Sequence, residues 1–204
     1  SSIYETLNEN YNDKYEYILP EISIDKNLFS NDKIGNLDIQ TNYKVHNYDT
    51  NKFTNFLVNN FTWEQNEINF KTGLKGKLLG NVKNINYETN NIDIYKNDTT
   101  SEIFGAIGYL SEIDLKKKNG NTVHFLKPKM LLRYAPGSMR KEEDGFILNP
   151  VTAFNIDKLS NNNNFETGLS STIGFDYNIK KKNKEFDFSV AQIINESENK
   201  KMAT

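Results

Sequence analysis

Cysteine is absent from all 204 residues, which excludes disulfides and thiolate metal sites. A run of eighteen apolar residues is absent as well, so no membrane-crossing helix is expected. Neither charge is in excess: 25 Lys and Arg face 27 Asp and Glu, for a net charge of −2. No basic cluster is interleaved with stacking aromatics, and nothing points to a nucleic-acid partner. The opening residues, SSIYETLNEN, lack the basic region and apolar run of a signal peptide, so an exported protein with this sequence is expected to come from a longer precursor. Apolar residues make up only 36%, low for a globular core, yet aromatics reach 12%, too many for a disordered chain. A transmembrane β-barrel reconciles the two figures, because only one face of each strand must be apolar.

What is present is alternation, and it is strictest over residues 164–195. Phe165, Thr167, Leu169, Ser171, Ile173, Phe175, Tyr177 and Ile179 share one face, with Gly168, Ser170, Thr172, Gly174 and Asp176 on the other. This period of two lasts about sixteen residues, about three times the usual strand. A polar turn at 181–184 follows, and Phe186, Phe188, Val190 and Ile194 then alternate with Glu185, Asp187, Ser189 and Asn195. Both arms reach the roughly 9–11 tilted residues that cross a bilayer. A hairpin in a soluble sandwich is the alternative reading of the same pattern.

The same pattern recurs along the chain. Strands are expected at 2–7, 15–24, 35–48, 52–64, 67–87, 101–115 and 122–134, and the hairpin brings the total to about nine. Pro20 suits only an edge or a bulge. Gly73, Gly76 and Gly80 imply bending, or room for a neighbouring side chain. No segment reads as a long amphipathic helix. The class is all-β, an antiparallel meander of long strands forming part of a large transmembrane β-barrel, with residues 1–204 one partial barrel domain. Tight links are expected at 65–66, at 116–121 with its Asn119-Gly120 hairpin signal, and at 181–184. Long links are expected at 88–100 and 135–164, while 49–51 is short and 27–34 somewhat longer. Outer-membrane barrels have short periplasmic turns and longer outer loops, a dependence on parity that this chain follows imperfectly.

Catalytic chemistry finds little support. His46 and His124 have no His or carboxylate at ligand spacing and read as structural or solvated. Glu142, Glu143 and Asp144 form a carboxylate cluster able to hold a divalent cation, though a solvated loop is the simpler reading. No cofactor is called for. Lys127, Lys129 and Arg133 share one face of the seventh strand, a basic stripe that pairs with acids on neighbouring strands or attracts anionic lipid. In the longest link, 137–145 is charged and expected to be solvated. Val151, Ala153, Phe154, Ile156 and Leu159 carry too much apolar surface for that. This half is expected to fold inward and cap the lumen, with Asp157 and Lys158 pairing to polar lumen residues, or else to brace neighbouring loops above the membrane.

Four segments carry a resemblance: YEYILPEISIDKNLF, HFLKPKMLLRYAPGSMR, AFNIDKLSNNNNFETGLSSTIGFDY and FDFSVAQIIN. They resemble the barrel domain of the lipopolysaccharide-assembly protein family LptD, also called the organic-solvent-tolerance family. The third and fourth are the most specific. Phe154, Asp157 and Lys158 stand in the family's aromatic-rich loop with its acidic-basic pair, Gly168 and Gly174 in the Gly-containing strand that follows, and Ala191 and Gln192 in a strand that ends in a small residue plus Gln. Lys158 replaces a frequent Arg and Ala191 a frequent Gly.

The resemblance implies an interior part of an outer-membrane β-barrel in a Gram-negative bacterium. The barrel would assemble lipopolysaccharide at the cell surface, with a plug lipoprotein inside it and a periplasmic bridge feeding it. Lys129, Arg133, Phe154, Asp157, Lys158 and Glu166 become candidate lumen or loop residues, and no enzymatic activity is implied. The alternative from another class is a soluble carbohydrate-binding or adhesin module, using Trp63, Tyr87, Tyr95 and Tyr109 to stack on sugar.

Overall fold

Two-sided alternation runs through every long strand and sets the architecture. A computed structural model describes residues 16–49, 52–142, 149–159, 162–198 and 200–201. The strands are β1 (Tyr17–Asn31), β2 (Gly35–Asp49), β3 (Lys52–Glu64), β4 (Ile68–Asn69), β5 (Leu74–Asn90), β6 (Thr100–Ile113), β7 (Leu115–Asn119), β8 (Thr122–Ala135), β9 (Gly168–Lys181) and β10 (Lys184–Asn195). One short 3₁₀ helix, Thr152–Phe154, interrupts the longest connection. All strands join one antiparallel sheet in the order β1-β2-β3-β5-β6-β8-β9-β10, with β4 on β5 and β7 on β8. This is the expected all-β meander. β1 and β10 remain edges, so the described strands do not close into a barrel. The strand expected at 2–7 lies outside the described residues. No described helix is long and apolar enough to cross a membrane.

Two minor strands have specific causes. β6 and β7 form one line along β8, because Glu112 faces Lys129 and Leu115 faces Leu126 in a single register. The break between them lies beside Pro128, which has no N–H to give to the ladder. β4 marks a correction. The chain does not turn at 65–66, because the Gln65 N–H donates to the Leu78 carbonyl (2.9 Å) and holds the chain alongside β5. Reversal comes at 70–73, where the Gly73 N–H donates to Phe70 O (3.0 Å) and Gly73 takes φ +83°. Gly76 and Gly80 provide the room expected of them, under the rings of Tyr109 and Trp63. Pro20 sits on the edge strand β1, where the register shifts between Ile18 and Glu21.

Three tight hairpin turns lie at one end of the sheet, where Asn31 pairs with Gly35, Asn119 with Thr122, and Lys181 with Lys184, and a fourth, where Asp49 pairs with Lys52, lies at the other. The longer connections, 91–99 and 136–167, lie at the other end.

The two faces are covered unequally. Outward, Ile103, Ile107, Leu132, Tyr134, Leu169 and Phe186 are exposed, Ile103 at 74%. Inward, an apolar cluster that includes Phe56, Val58, Ile85, Phe104 and Leu131 is buried. Lys83 and Arg133, each 1% exposed, are buried beside it, with Asn81, Thr89, Ser170 and Thr172. The covered face mixes charge with apolar surface, and the open face shows large apolar side chains.

Candidate functional site

The inner face is covered by the connection between β8 and β9. Gly137, at φ +106°, lets the chain leave β8 in a conformation other residues rarely adopt. Asn149 then starts the return by an Asx turn, its side-chain oxygen accepting from the N–H groups of Val151 and Thr152 at 2.9 Å each. The 3₁₀ helix that follows buries Ala153 and Phe154. Ile156, Leu159 and Phe165 are also buried, whereas Val151 stays 73% exposed. Inward docking is therefore what forms, with Val151 the exception.

Polar strand residues hold this loop. Arg133 on β8 donates through Nε to Ile156 O (2.6 Å) and through Nη2 to Glu166 O (2.5 Å). Lys83 on β5 lies 2.5 Å from Asp157 Oδ2 and donates to Asn164 O at 3.2 Å. Thr172 Oγ1 on β9 donates to Ala153 O (3.1 Å). Lys158 donates to Ser170 Oγ (3.1 Å) and stands 3.6 Å from Glu166. The Phe165 ring lies 5.4 Å from both the Lys83 ammonium and the Arg133 guanidinium, a double cation–π contact in a dry setting.

Phe154 anchors the other side. Lys129 Nζ sits 4.5 Å above its ring and is ion-paired with Asp176 at 2.6 Å. The ring edge fits over Gly174, where a Cβ would lie 3.1 Å from Phe154 Cζ and 2.1 Å from Val190 O. Only glycine lets loop and β10 approach together there. The basic stripe is therefore paired: Lys127 reaches Glu112 and Asp114 at 3.2 Å each, and Arg133 lies 3.9 Å from Glu166.

The cluster buries Lys83, Arg133 and Lys158 against Asp157 and Glu166, one more cation than anion. Arg133 Nη1 and Glu166 Oε2 are buried without a hydrogen bond. Burial pushes the Asp157 carboxyl up, and the nearby Lys83 ammonium opposes it. Burial likewise pulls the Lys158 ammonium down, with Glu166 opposing and Arg133 adding to the fall. Charge so placed costs desolvation and is tolerated only while each partner stays in position.

Lys129, Arg133, Phe154, Asp157, Lys158 and Glu166 are thus gathered at one interface between loop and sheet. Lys83 and Phe165 belong to it too, although sequence reasoning did not single them out. Their signal was weak: Lys83 shares its strand phase with the buried Ile85 and Tyr87.

Several expectations are corrected. The 137–145 segment is not solvated throughout, since Met139 is 1% and Glu142 3% exposed. Met139 N–H donates to Thr167 Oγ1 (3.2 Å), and the Asn164 amide donates to Glu142 (3.0 Å), which draws both residues under the loop. Glu143 and Asp144 lie outside the described residues. Among the described residues no three His, Cys, Asp or Glu side chains gather to hold a metal ion. His46 does have a carboxylate partner, Glu16 at 2.8 Å across the β1–β2 pair, which sequence spacing did not reveal. His124 meets the Tyr177 hydroxyl at 2.8 Å. Tyr87 is buried and packs with Phe56 and Tyr95, and the Trp63 indole donates to Ile34 O, so these rings do not form a free sugar-stacking row.

Compared with known proteins, the chain matches no family model and no curated protein.

Proposed function

We propose that this chain is part of an outer-membrane β-barrel translocon that assembles lipopolysaccharide at the surface of a Gram-negative cell. It acts by passage and shielding, without catalysis, cofactor or metal. One observation supports the barrel half of this reading: the sheet leaves large apolar side chains exposed on its outer face while buried charges sit among the apolar residues of its inner face. Ile103, Ile107, Leu132 and Leu169 stand between 44% and 74% exposed, while Lys83 and Arg133 are covered. Soluble monomers rarely show apolar patches of such extent, whereas a lipid-facing barrel wall consists of them. Strands of 12 to 17 residues exceed what the hydrocarbon layer demands.

The lipopolysaccharide half is supported by the resemblance of 124–140, 153–177 and 186–195 to the LptD family. Under this reading β1 and β10 pair with further strands, and a plug lipoprotein and a periplasmic bridge are the partners. The soluble carbohydrate-binding alternative draws less support, because Tyr87 and Tyr95 are engaged with Phe56.

Fractionation of cells carrying the full-length protein tests the barrel, and its depletion tests the cargo. Expected are residence in the outer membrane and loss of newly made lipopolysaccharide from the surface. A water-soluble protein would overturn both halves. Outer-membrane residence with unchanged surface lipopolysaccharide would overturn the cargo alone.

A further inference from the structure

The polarity of the sheet inverts part-way along β3 and β5. In the halves nearer the β5 start, outward positions hold Phe61 and Trp63 on β3 and Leu78 and Val82 on β5. Inward positions there hold Asn60, Thr62 and Glu64 on β3, facing Asn81 and Lys77 on β5. Asn81 donates to Asn60 (2.8 Å) and Thr62 (3.1 Å), and Lys77 pairs with Glu64 at 2.5 Å. In the halves nearer the 91–99 connection the assignment is reversed. Phe56, Val58, Ile85 and Tyr87 now point inward and are buried, each at no more than 3% exposure. Outward stand Asn55 and Asn59 on β3, and Asn84, Asn86 and Glu88 on β5. Leu57 outward and Leu79 inward are the exceptions between 55 and 64 and between 77 and 88, and Lys83 stands at the point of change. On β6 the outward Tyr109, Ile107 and Ile103 likewise give way to Ser101, opposite Asn86.

The strands themselves do not slip. Phe61 faces Val82, Asn59 faces Asn84 and Leu57 faces Asn86 in one register without a bulge. The change therefore lies in the surroundings to which each half is fitted. Apolar out and polar in suits a wall with lipid outside, whereas polar out and apolar in suits a sheet in water. The outward amides bond one another: Asn86 donates to Asn84 Oδ1 (2.6 Å), Asn84 to Ser101 Oγ (3.3 Å), and Thr41 Oγ1 to Asn59 Oδ1 (2.9 Å). A primary amide has two N–H groups and two lone pairs to satisfy, more than these bonds use, and Glu88 adds an exposed carboxylate. Hydrocarbon offers such groups no partner. The outward apolar run on β5, Leu74 to Val82, is about nine residues long, at the lower end of the roughly 9–11 that cross a bilayer when tilted.

We infer that β3 and β5 leave the hydrocarbon of the membrane between Val82 and Asn84, so that Asn55, Asn59, Asn86 and Glu88 face water and polar headgroups. The rest of β5, about 25 Å of strand, then rises beyond the acyl chains. Phe56, Tyr87 and Tyr95, with ring centroids 5.1 to 5.5 Å apart, form the small core that holds this raised part together. The inference rests on the barrel reading and adds where the lipid-facing wall ends.

The test reconstitutes the full-length protein, with any cysteines elsewhere removed, into phosphatidylcholine vesicles with or without brominated acyl chains. Val82→Cys, Ile107→Cys, Asn86→Cys and Glu88→Cys, all at outward positions that are not buried, each carry a bimane label. Brominated chains should quench the label at 82 and 107 and leave it bright at 86 and 88. Equal quenching at all four would overturn the inference and leave the barrel standing. Quenching at none would overturn the barrel reading and the inference with it. A second readout needs no label: Val82→Arg should lose most of its heat-resistant folded form on gels, and Asn86→Arg should keep it. Equal loss in both would again place Asn86 in the hydrocarbon and overturn the boundary alone.

Discussion

The ammonium of Lys83 lies 2.5 Å from the carboxylate of Asp157, a residue 74 positions further along the chain. Their side chains are 2% and 16% exposed, so neither charge is well hydrated if the other is removed. Lys83→Met should destabilise the folded protein by about 3–5 kcal/mol, the range for breaking a buried pair. The double variant Lys83→Met, Asp157→Leu should recover much of that, since no orphan charge remains. Denaturant unfolding in detergent measures both, and strictly additive effects would reject the coupling.

Membrane contact makes a different prediction at Ile173, on the outer face of β9 and 42% exposed. Ile173→Arg should cost about 2–4 kcal/mol if the site faces the bilayer interior. In water the same exposed position would tolerate Arg to within about 0.5 kcal/mol. Heat-resistant folded protein on gels reports the difference. The adjacent inward Thr172 is no neutral control, because its hydroxyl holds the Ala153 carbonyl.

Docking of the loop is read by labelling. Val151→Cys, at a position 73% exposed, should react rapidly with a membrane-impermeant maleimide on whole cells. Phe154→Cys, at a position 8% exposed, should be protected by Lys129 and the β9–β10 pair. These 204 residues hold no cysteine, and the test uses a background in which any cysteines elsewhere in the protein are removed. Similar rates at both positions would show the loop undocked.

Acidity acts through Asp157 with a definite sign. Its carboxyl is raised above 3.8 by burial, so the folded state binds its proton more tightly than the unfolded state does. That contribution is fully present at low pH and is lost as pH rises through the raised value. Loop stability in the wild type, relative to Asp157→Asn, should therefore grow as pH falls from neutral toward 4. Hydrogen-exchange protection over 155–159 measures it, and a relative loss on acidification would show the sign to be wrong.

Much of the sheet was legible because alternation is local. Phe186, Phe188 and Val190 declare a face without knowledge of any neighbour. The inward loop was legible for a similar reason, since Ala153, Phe154, Ile156 and Leu159 are too apolar for water. The partner of Asp157 was not, because choosing Lys83 among many lysines requires the registers of β5, β6, β8 and β9 together. The reversal at 70–73 was missed because 64–67 is as polar as a turn, and the Gln65–Leu78 bond that keeps it extended is non-local. Met139 and Glu142 were hidden for the same reason: their burial depends on Thr167 and Asn164, met only after the chain returns.

The grip on the loop has a consequence for how it can vary. Arg133 holds the carbonyls of Ile156 and Glu166, Lys83 that of Asn164, and Thr172 that of Ala153. Every residue type supplies a carbonyl. These clasps therefore read the path of the backbone, a constraint added to the one on the side chains, since Ile156 is packed in the core and Glu166 is paired with Lys158. Deletion of one residue between 153 and 166 would misalign all of them at once, so the segment is bound in length as well as in its letters.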